Sequence, residues 1–359
     1  MYDLDRPETY NSLDPSGIRG RLRELPRHCE EAWQVSQTIP LPPNPKPVQH
    51  VVIGGMGGSA IAGDLTADLA AAQGIVPISV VRDFHLPFAL NPGSLFIACS
   101  YSGETEETLS LFHQALAAGS QVMVISSGGR LSGEAQSRGI PVLKVDAPGE
   151  PRNATTYSLL LLLGVLHRLT LVRTGDDVVR ATAADLRIRV AQLEEGIPTR
   201  NNPAKLLAAE LTGKLVLVYG GGLFTGMARR WKTQLNECAK VWAFFETIPE
   251  LLHNAVESFG TAEGPAGQLM ALLLQPMMEG ADAGPHYQVV SQLLRQNAVS
   301  NRIVQGETAN PLSQLLAMLL LGDYVSYYLA LLRGVDPSPT PAIQAAKEDL
   351  ARLLPKDEV

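Results

Sequence analysis

Short apolar runs alternate with longer amphipathic stretches through the first half of the chain. The runs predict five strands, at residues 51–53, 78–81, 95–99, 122–126 and 142–145. Almost every position within a run is apolar, which is typical of parallel strands that are covered by helices on both faces. Strands that alternate with helices in this way predict an α/β fold with a parallel sheet.

The longer stretches predict helices over residues 18–36, 157–171, 178–195, 225–240, 311–333 and 342–354. Dense prolines at 39–47 predict an extended connector. The apolar run 215–219 is followed by three glycines, which repeats the pattern at 51–58. This repetition predicts two doubly wound, flavodoxin-like parallel-sheet domains with flanking helices. We expect an N-terminal helical segment and connector at 1–47, a first domain at 48–175 and a second at 176–359.

Polar side chains cluster where the predicted strand 95–99 ends. Ser100, Ser102 and Thr105 surround a tight turn, and acidic residues follow in the first turn of the next helix. Short hydroxyl side chains and the free N–H groups of a helix start favour a bound phosphate. The alternative is an ordinary strand-to-helix connection whose serines and threonine only cap the helix.

A glycine-rich loop follows the first predicted strand and contains Gly58 and Ser59. Glycines allow the backbone to approach a ligand closely. The chain has no GxxxxGK[ST] motif, and GxGxxG fits only with a substitution and without the expected acidic residue, so nucleotides are disfavoured. The two strand ends together predict a site for one small phosphorylated ligand.

Composition narrows the class of protein. The 359 residues are 45% hydrophobic and 18% charged, with a net charge of -7, so a large core can form and the chain is not disordered. The sequence contains no basic stripe, so nucleic-acid binding is disfavoured. Three distant cysteines (Cys29, Cys99 and Cys238) and the lack of a signal-peptide pattern predict a reducing, cytoplasmic location. The apolar runs 157–165 and 312–332 are interpreted as buried helices rather than membrane spans.

Two motifs resemble a known family. GMGGSAIAGD at 55–64 and SYSGETEET at 100–108 are similar to the sugar isomerase (SIS) domains of bifunctional phosphoglucose/phosphomannose isomerases. Further matches are Pro151-Arg152, Asn236-Glu237, His253-Asn254 and the segment 334–337. Around His253, family members commonly read NHNE, whereas this chain has Leu252 before the histidine and Ala255 after the asparagine.

The resemblance implies a role for each matched residue. Gly58, Ser59, Ser100, Ser102 and Thr105 would bind the substrate phosphate. Glu237 would move the proton between C1 and C2, and Arg152 would stabilise the enediolate. His253, contributed by the partner subunit, and Lys347 would open the sugar ring, and Thr340 would leave room for either C2 epimer.

The chemistry itself also demands such a base, because an aldose becomes a ketose by loss of a proton α to a carbonyl. Apolar Leu235 and Ala239 beside Glu237 favour partial burial of that carboxylate. We therefore expect an isomerase that interconverts glucose 6-phosphate and/or mannose 6-phosphate with fructose 6-phosphate in glycolysis and gluconeogenesis. It would need no metal or cofactor, bind neither nucleic acid nor membrane, and form a homodimer with the active site at the interface. The alternatives are a non-catalytic sugar-phosphate-binding regulator and an aminosugar-phosphate isomerase.

Overall fold

A computed structural model describes residues 2–42, 47–71, 73–147, 149–260, 266–277 and 284–353. The chain begins with three helices, α1 (Pro7–Leu13), α2 (Ile18–Arg23) and α3 (Leu25–Thr38). The single helix predicted over 18–36 is therefore two. The break falls at Glu24, and Pro26 lies in the first turn of α3, where its missing N–H is tolerated. Part of the predicted connector, residues 43–46, lies outside the described residues.

The first sheet contains all five predicted strands. Its elements are β1 (His50–Gly55), α4 (Gly57–Ala71), β2 (Ile78–Val81), β3 (Ser94–Cys99), α5 (Glu106–Ala117), β4 (Gln121–Ser126), α6 (Gly129–Ser137), β5 (Val142–Lys144) and α7 (Thr155–Arg168). The strands are parallel in the order β2-β1-β3-β4-β5. Gly55 at the end of β1 pairs with Cys99 at the end of β3. The two loops predicted to bind phosphate therefore leave the sheet side by side.

The second sheet repeats this arrangement with four strands. Its elements are α8 (Asp176–Leu193), α9 (Pro203–Glu210), β6 (Leu215–Gly220), α10 (Thr225–Glu237), β7 (Ala243–Thr247), β8 (Leu269–Gln275), α11 (Gly284–Gln296), β9 (Ser300–Gln305), α12 (Pro311–Leu332) and α13 (Pro341–Leu353). The strands are parallel in the order β7-β6-β8-β9. In both sheets the strand that precedes the glycines lies second from an edge. The prediction of two doubly wound parallel sheets is confirmed.

Helices between the sheets form one continuous core. Apolar residues from β1, α7, β6 and α12 belong to the same buried cluster. Within the described residues, α12 is the one helix that is long and apolar enough to cross a membrane, but 94% of that stretch is buried inside the molecule. Such burial is typical of a core helix. This core contains residues from both sheets and does not mark where one domain ends. The domain boundaries given above therefore stay a prediction.

Candidate active site

The glycine loop (residues 54–59) and the phosphate turn (residues 100–105) contact each other at the carboxyl edge of the first sheet. The Ser59 hydroxyl oxygen accepts a hydrogen bond from the Tyr101 N–H at 3.2 Å. In an open parallel sheet, ligands bind in the crevice beyond this edge. The structure thus brings together the two loops that the sequence predicted to share a ligand.

The hydroxyls of the phosphate turn shape the turn itself. Ser100 Oγ lies 3.0 Å from Thr105 Oγ1 and accepts a hydrogen bond from the Gly103 N–H at 3.1 Å. Ser102 Oγ accepts the Glu104 N–H at 3.2 Å. Thr105 is the N-cap residue of α5 but makes no capping hydrogen bond with its side chain. Ser102 is exposed and Thr105 half-buried, so both can donate to an incoming anion.

Gly58 connects these loops to Arg152. A Cβ at Gly58 would lie 3.2 Å from both Arg152 Cα and the Pro151 carbonyl oxygen. The lack of a side chain therefore allows the glycine loop to pack directly on the one-turn 3-10 helix Pro151–Ala154. That helix immediately precedes α7 and carries Arg152.

Arg152 is buried, at 4% exposure, and faces Glu237. Its Nη1 lies 3.8 Å from Glu237 Oε2. Its Nη2 donates to the carbonyls of Pro337 and Ser338, both at 2.7 Å. The Nε has no partner. The Glu237 side chain keeps 27% of its surface exposed, so a fixed cation lies beside a carboxylate that a ligand can reach.

Glu237 is the last residue of α10, on the same helical face as two polar residues that the sequence analysis missed. Arg230 is buried and donates to Gln234 Oε1 at 2.7 Å, to Asp323 Oδ1 at 2.7 Å and to the Arg152 carbonyl at 3.1 Å. Burial raises the pKa of Asp323, and Arg230 opposes that shift. The spacing 230, 234, 237 of polar residues on one side of a helix was the signal that could have revealed this support.

The loop after α12, here called the tail loop (residues 334–340), accepts the two hydrogen bonds from Arg152 Nη2. Ser338 donates its hydroxyl to Glu150, which also accepts from Arg21 at 2.8 Å. Lys240 Nζ donates to the Pro339 carbonyl at 2.7 Å. Thr340, the next residue, is half-buried. The predicted site residue Thr340 therefore lies on the loop that contacts Arg152.

Two predicted site residues are exposed and have no hydrogen bond to this group among the described residues. His253 is exposed at the end of the 3-10 helix Glu250–His253. Lys347 is exposed on α13, whose described side chains are all exposed. Among the described residues, neither side chain shares a hydrogen bond or ion pair with Arg152 or Glu237. One chain alone thus brings together the phosphate loops, Arg152, Glu237 and Thr340, but not His253 or Lys347.

An apolar cavity of about 520 Å³ lies elsewhere, at the β7 edge of the second sheet. The described side chains that line it include Leu217, Tyr219, Phe244 and Phe259, and among them Lys232 is the one cation. A hexose phosphate needs several hydrogen-bond donors around its anion. The cavity therefore does not compete with the carboxyl edge of the first sheet as the candidate site.

Comparisons with known proteins identify the family. A sequence model described as the bacterial phospho-glucose isomerase C-terminal SIS domain matches residues 200–350. A bifunctional phosphoglucose/phosphomannose isomerase from Caldicellulosiruptor bescii is 31% identical over 330 residues, which cover 92% of this chain and 97% of that protein. The chain belongs to this family. The resemblance seen in the sequence motifs is thereby confirmed.

Further relatives agree with this assignment. The enzyme of the same name from Thermoplasma acidophilum is 30% identical over 304 residues, 84% of this chain and 90% of that protein. A crystal structure of a glucose-6-phosphate isomerase like protein from Thermus thermophilus superposes with a TM-score of 0.63 at 23% identity. It covers 95% of this chain and 99% of that one. At that identity the likeness shows the shared fold alone.

Proposed function

We propose that the chain interconverts glucose 6-phosphate and/or mannose 6-phosphate with fructose 6-phosphate through a cis-enediolate, with Glu237 as the single base. The observation that carries this proposal is the 3.8 Å approach of Arg152 to the Glu237 carboxylate. A base must take the C2 proton while a nearby cation stabilises the negative oxygens that develop. Arg152 and Glu237 supply these two functions beside a loop suited to phosphate.

The test is Glu237→Gln, which keeps the shape of the side chain but cannot accept the proton. We expect kcat to fall by about 10²–10⁴, with KM nearly unchanged, for both epimers. The matched control is Glu246→Gln, which alters an exposed glutamate in β7. Both epimers share one enediol, so a variant that loses less than about tenfold, or that loses one epimer alone, would contradict the assignment. Glucosamine 6-phosphate, tested as a substrate, addresses the aminosugar alternative.

We further propose a homodimer in which His253 of one subunit reaches the active site of its partner. The exposure of His253 supports this, as does the exposed helix α13 with its apolar Ile343, Leu350 and Leu353. Trp242 and Phe244 are also exposed, at 74% and 46%. Apolar surface of this kind marks interfaces between subunits.

Mixing two inactive variants tests the shared site. If His253 acts across the interface, a hybrid of Glu237→Gln and His253→Ala subunits contains one site with both native residues, and activity returns after subunit exchange. If both residues act within one chain, no hybrid site is complete and the mixture stays inactive. Light scattering on the same samples measures whether dimers form at all.

The proposed location is the cytoplasm, with a role in glycolysis and gluconeogenesis. All three cysteines are free and buried, which suits a reducing compartment. Fractionation of the native host with an antibody against the protein would test the location.

A further inference from the structure

Lys240 adopts an unusual backbone conformation three residues after the proposed base. Its φ is 56°, in the left-handed region that residues other than glycine rarely adopt. Helix α10 ends at Glu237, and Cys238 still donates its N–H to the Gln234 carbonyl at 2.8 Å. The left-handed residue then turns the chain so that the lysine side chain folds back onto the helix end. Such strain often accompanies a functional constraint.

The Lys240 ammonium holds the end of the helix that carries Glu237. Its Nζ donates to the backbone carbonyl of Glu237 itself. Carbonyls in the last turn of a helix have no partner within the helix, and a cation there also interacts favourably with the helix dipole. The contact therefore limits the movement of the residue whose carboxylate is proposed to take the proton.

The same ammonium also holds the tail loop. Lys240 binds the Pro339 carbonyl, and Arg152 binds the carbonyls of Pro337 and Ser338, each at 2.7 Å. Two cations that both contact Glu237 thus bind three consecutive carbonyls of the tail loop. Burial and then the charge of Arg152 lower the pKa of Lys240, whereas the charges of Asp336 and Glu237 oppose that shift. The acidic side chains therefore help the two cations to lie close together.

We propose that Lys240 is a positioning residue for the isomerase reaction: it fixes the C-terminal end of α10 and, with Arg152, the tail loop against it. This inference rests on the proposed role of Glu237. Among the described residues, the Lys240 side chain shares no hydrogen bond or ion pair with the phosphate turn or the glycine loop. Its loss should therefore disturb the alignment of base and guanidinium more than substrate binding.

The experiment compares Lys240→Met, Lys240→Gly and Lys240→Arg. Met and Gly both remove the ammonium, and we expect each to lower kcat about tenfold to 100-fold with KM changed by less than about threefold, because small misalignments of reacting groups cost this much. Arg retains donors for both carbonyls and should restore most of the rate. The matched control is Lys232→Met on α10, which should behave as wild type.

The glycine variant separates positioning from stability. Glycine adopts the left-handed conformation without strain, so we expect Lys240→Gly to melt at least as high as Lys240→Met while being equally impaired. A purely structural role would instead make activity follow the melting temperature. If either variant keeps the wild-type kcat, or if KM rises while kcat is unchanged, the proposal is wrong.

A double variant distinguishes failure of this proposal from failure of the proposed base. If Lys240 acts through Glu237, adding Lys240→Met to Glu237→Gln should lower kcat by less than about twofold further. A full additional loss of tenfold or more would overturn the positioning role. Wild-type activity in Glu237→Gln would overturn the proposed base itself. A deficient Glu237→Gln with a normal Lys240→Met would overturn the positioning role alone.

Discussion

The two glycine loops have the same local pattern, a strand that leads through glycines to a helix. They differ in the residues that surround them. In the first domain, β1 leads through Gly58 and Ser59 to α4, and the loop borders the phosphate turn. In the second, β6 leads through three glycines to α10. There the N-terminal N–H of Gly226 donates to Asp68 Oδ2 of α4 at 2.6 Å. A protein carboxylate thus takes a place at which an anionic ligand could bind.

The difference also concerns the residues against which each helix start packs. A Cβ at Gly226 would lie 2.7 Å from Asp64 Cβ, so α4 packs directly on the start of α10. In the first domain a Cβ at Gly58 would instead lie 3.2 Å from Arg152 Cα, so that helix start packs on the residue that faces Glu237. A strand, a glycine loop and a helix start therefore do not by themselves define a ligand site. Neighbouring hydroxyls and the absence of a competing carboxylate decide whether a phosphate can bind.

The largest effect expected from the difference between the two loops tests which of them binds phosphate. Thr105→Val removes a hydroxyl from the phosphate turn, and Thr225→Val is the matched change at the start of α10, where the Thr225 hydroxyl donates to the Gly222 carbonyl at 3.0 Å. A hydrogen bond to a charged group contributes about 1.5–3 kcal/mol. We expect Thr105→Val to raise KM by about tenfold or more, with a smaller change in kcat, and Thr225→Val to leave KM unchanged. Steady-state kinetics with fructose 6-phosphate measure both. Equal KM values in the two variants would remove the phosphate assignment.

A thermal-shift measurement sharpens the same comparison without catalysis. A ligand present at 100 times its dissociation constant stabilises the folded protein by about 2.7 kcal/mol. Fructose 6-phosphate should therefore raise the melting temperature of the wild type by several degrees. Ser102→Ala combined with Thr105→Val should lose most of that rise, because the anion would lose two donors. Thr225→Val should keep it, and a shift kept equally by both variants would place the ligand elsewhere.

The smallest expected effect concerns Asp68 at the second loop. Burial raises the pKa of Asp68 to about 7, against the opposing hydrogen bond from Gly226. A folded-state pKa above the unfolded value of 3.8 means that the folded protein binds the proton more tightly. This group therefore favours folding most at low pH, and its contribution is lost as the pH rises from about 4 to 7.

Asp68→Asn removes that titration while retaining an oxygen that can accept the Gly226 N–H. We expect the variant to melt a few degrees higher than the wild type at pH 8, with the difference shrinking as the pH approaches 4. Melting curves between pH 4 and 8 provide the measurement, and Asp83→Asn at an exposed position serves as control. A difference that does not depend on pH would contradict the raised pKa.

Local pattern was sufficient for the elements of the first half. Apolar runs bounded by glycine and proline predicted five strands, and all five occur with ends within a few residues of the prediction. The order of the strands within each sheet was not predicted and comes from the structure. Helix ends were less well predicted, since α10 ends at Glu237 rather than at Lys240. Lys240 has a left-handed backbone conformation that no local sequence pattern predicts.

The sequence by itself determined the α/β class, the repeated strand-to-glycine motif and the residues of the phosphate turn, because these depend on neighbours within a few positions. The tertiary structure alone decided that Arg152 faces Glu237, that Lys240 holds the tail loop and that Asp68 fills the second loop. Each of those contacts joins residues that are far apart along the chain, so no periodicity or spacing encodes it. They form only when the packing of α4, α7, α10 and α12 in one core fixes where each side chain lies.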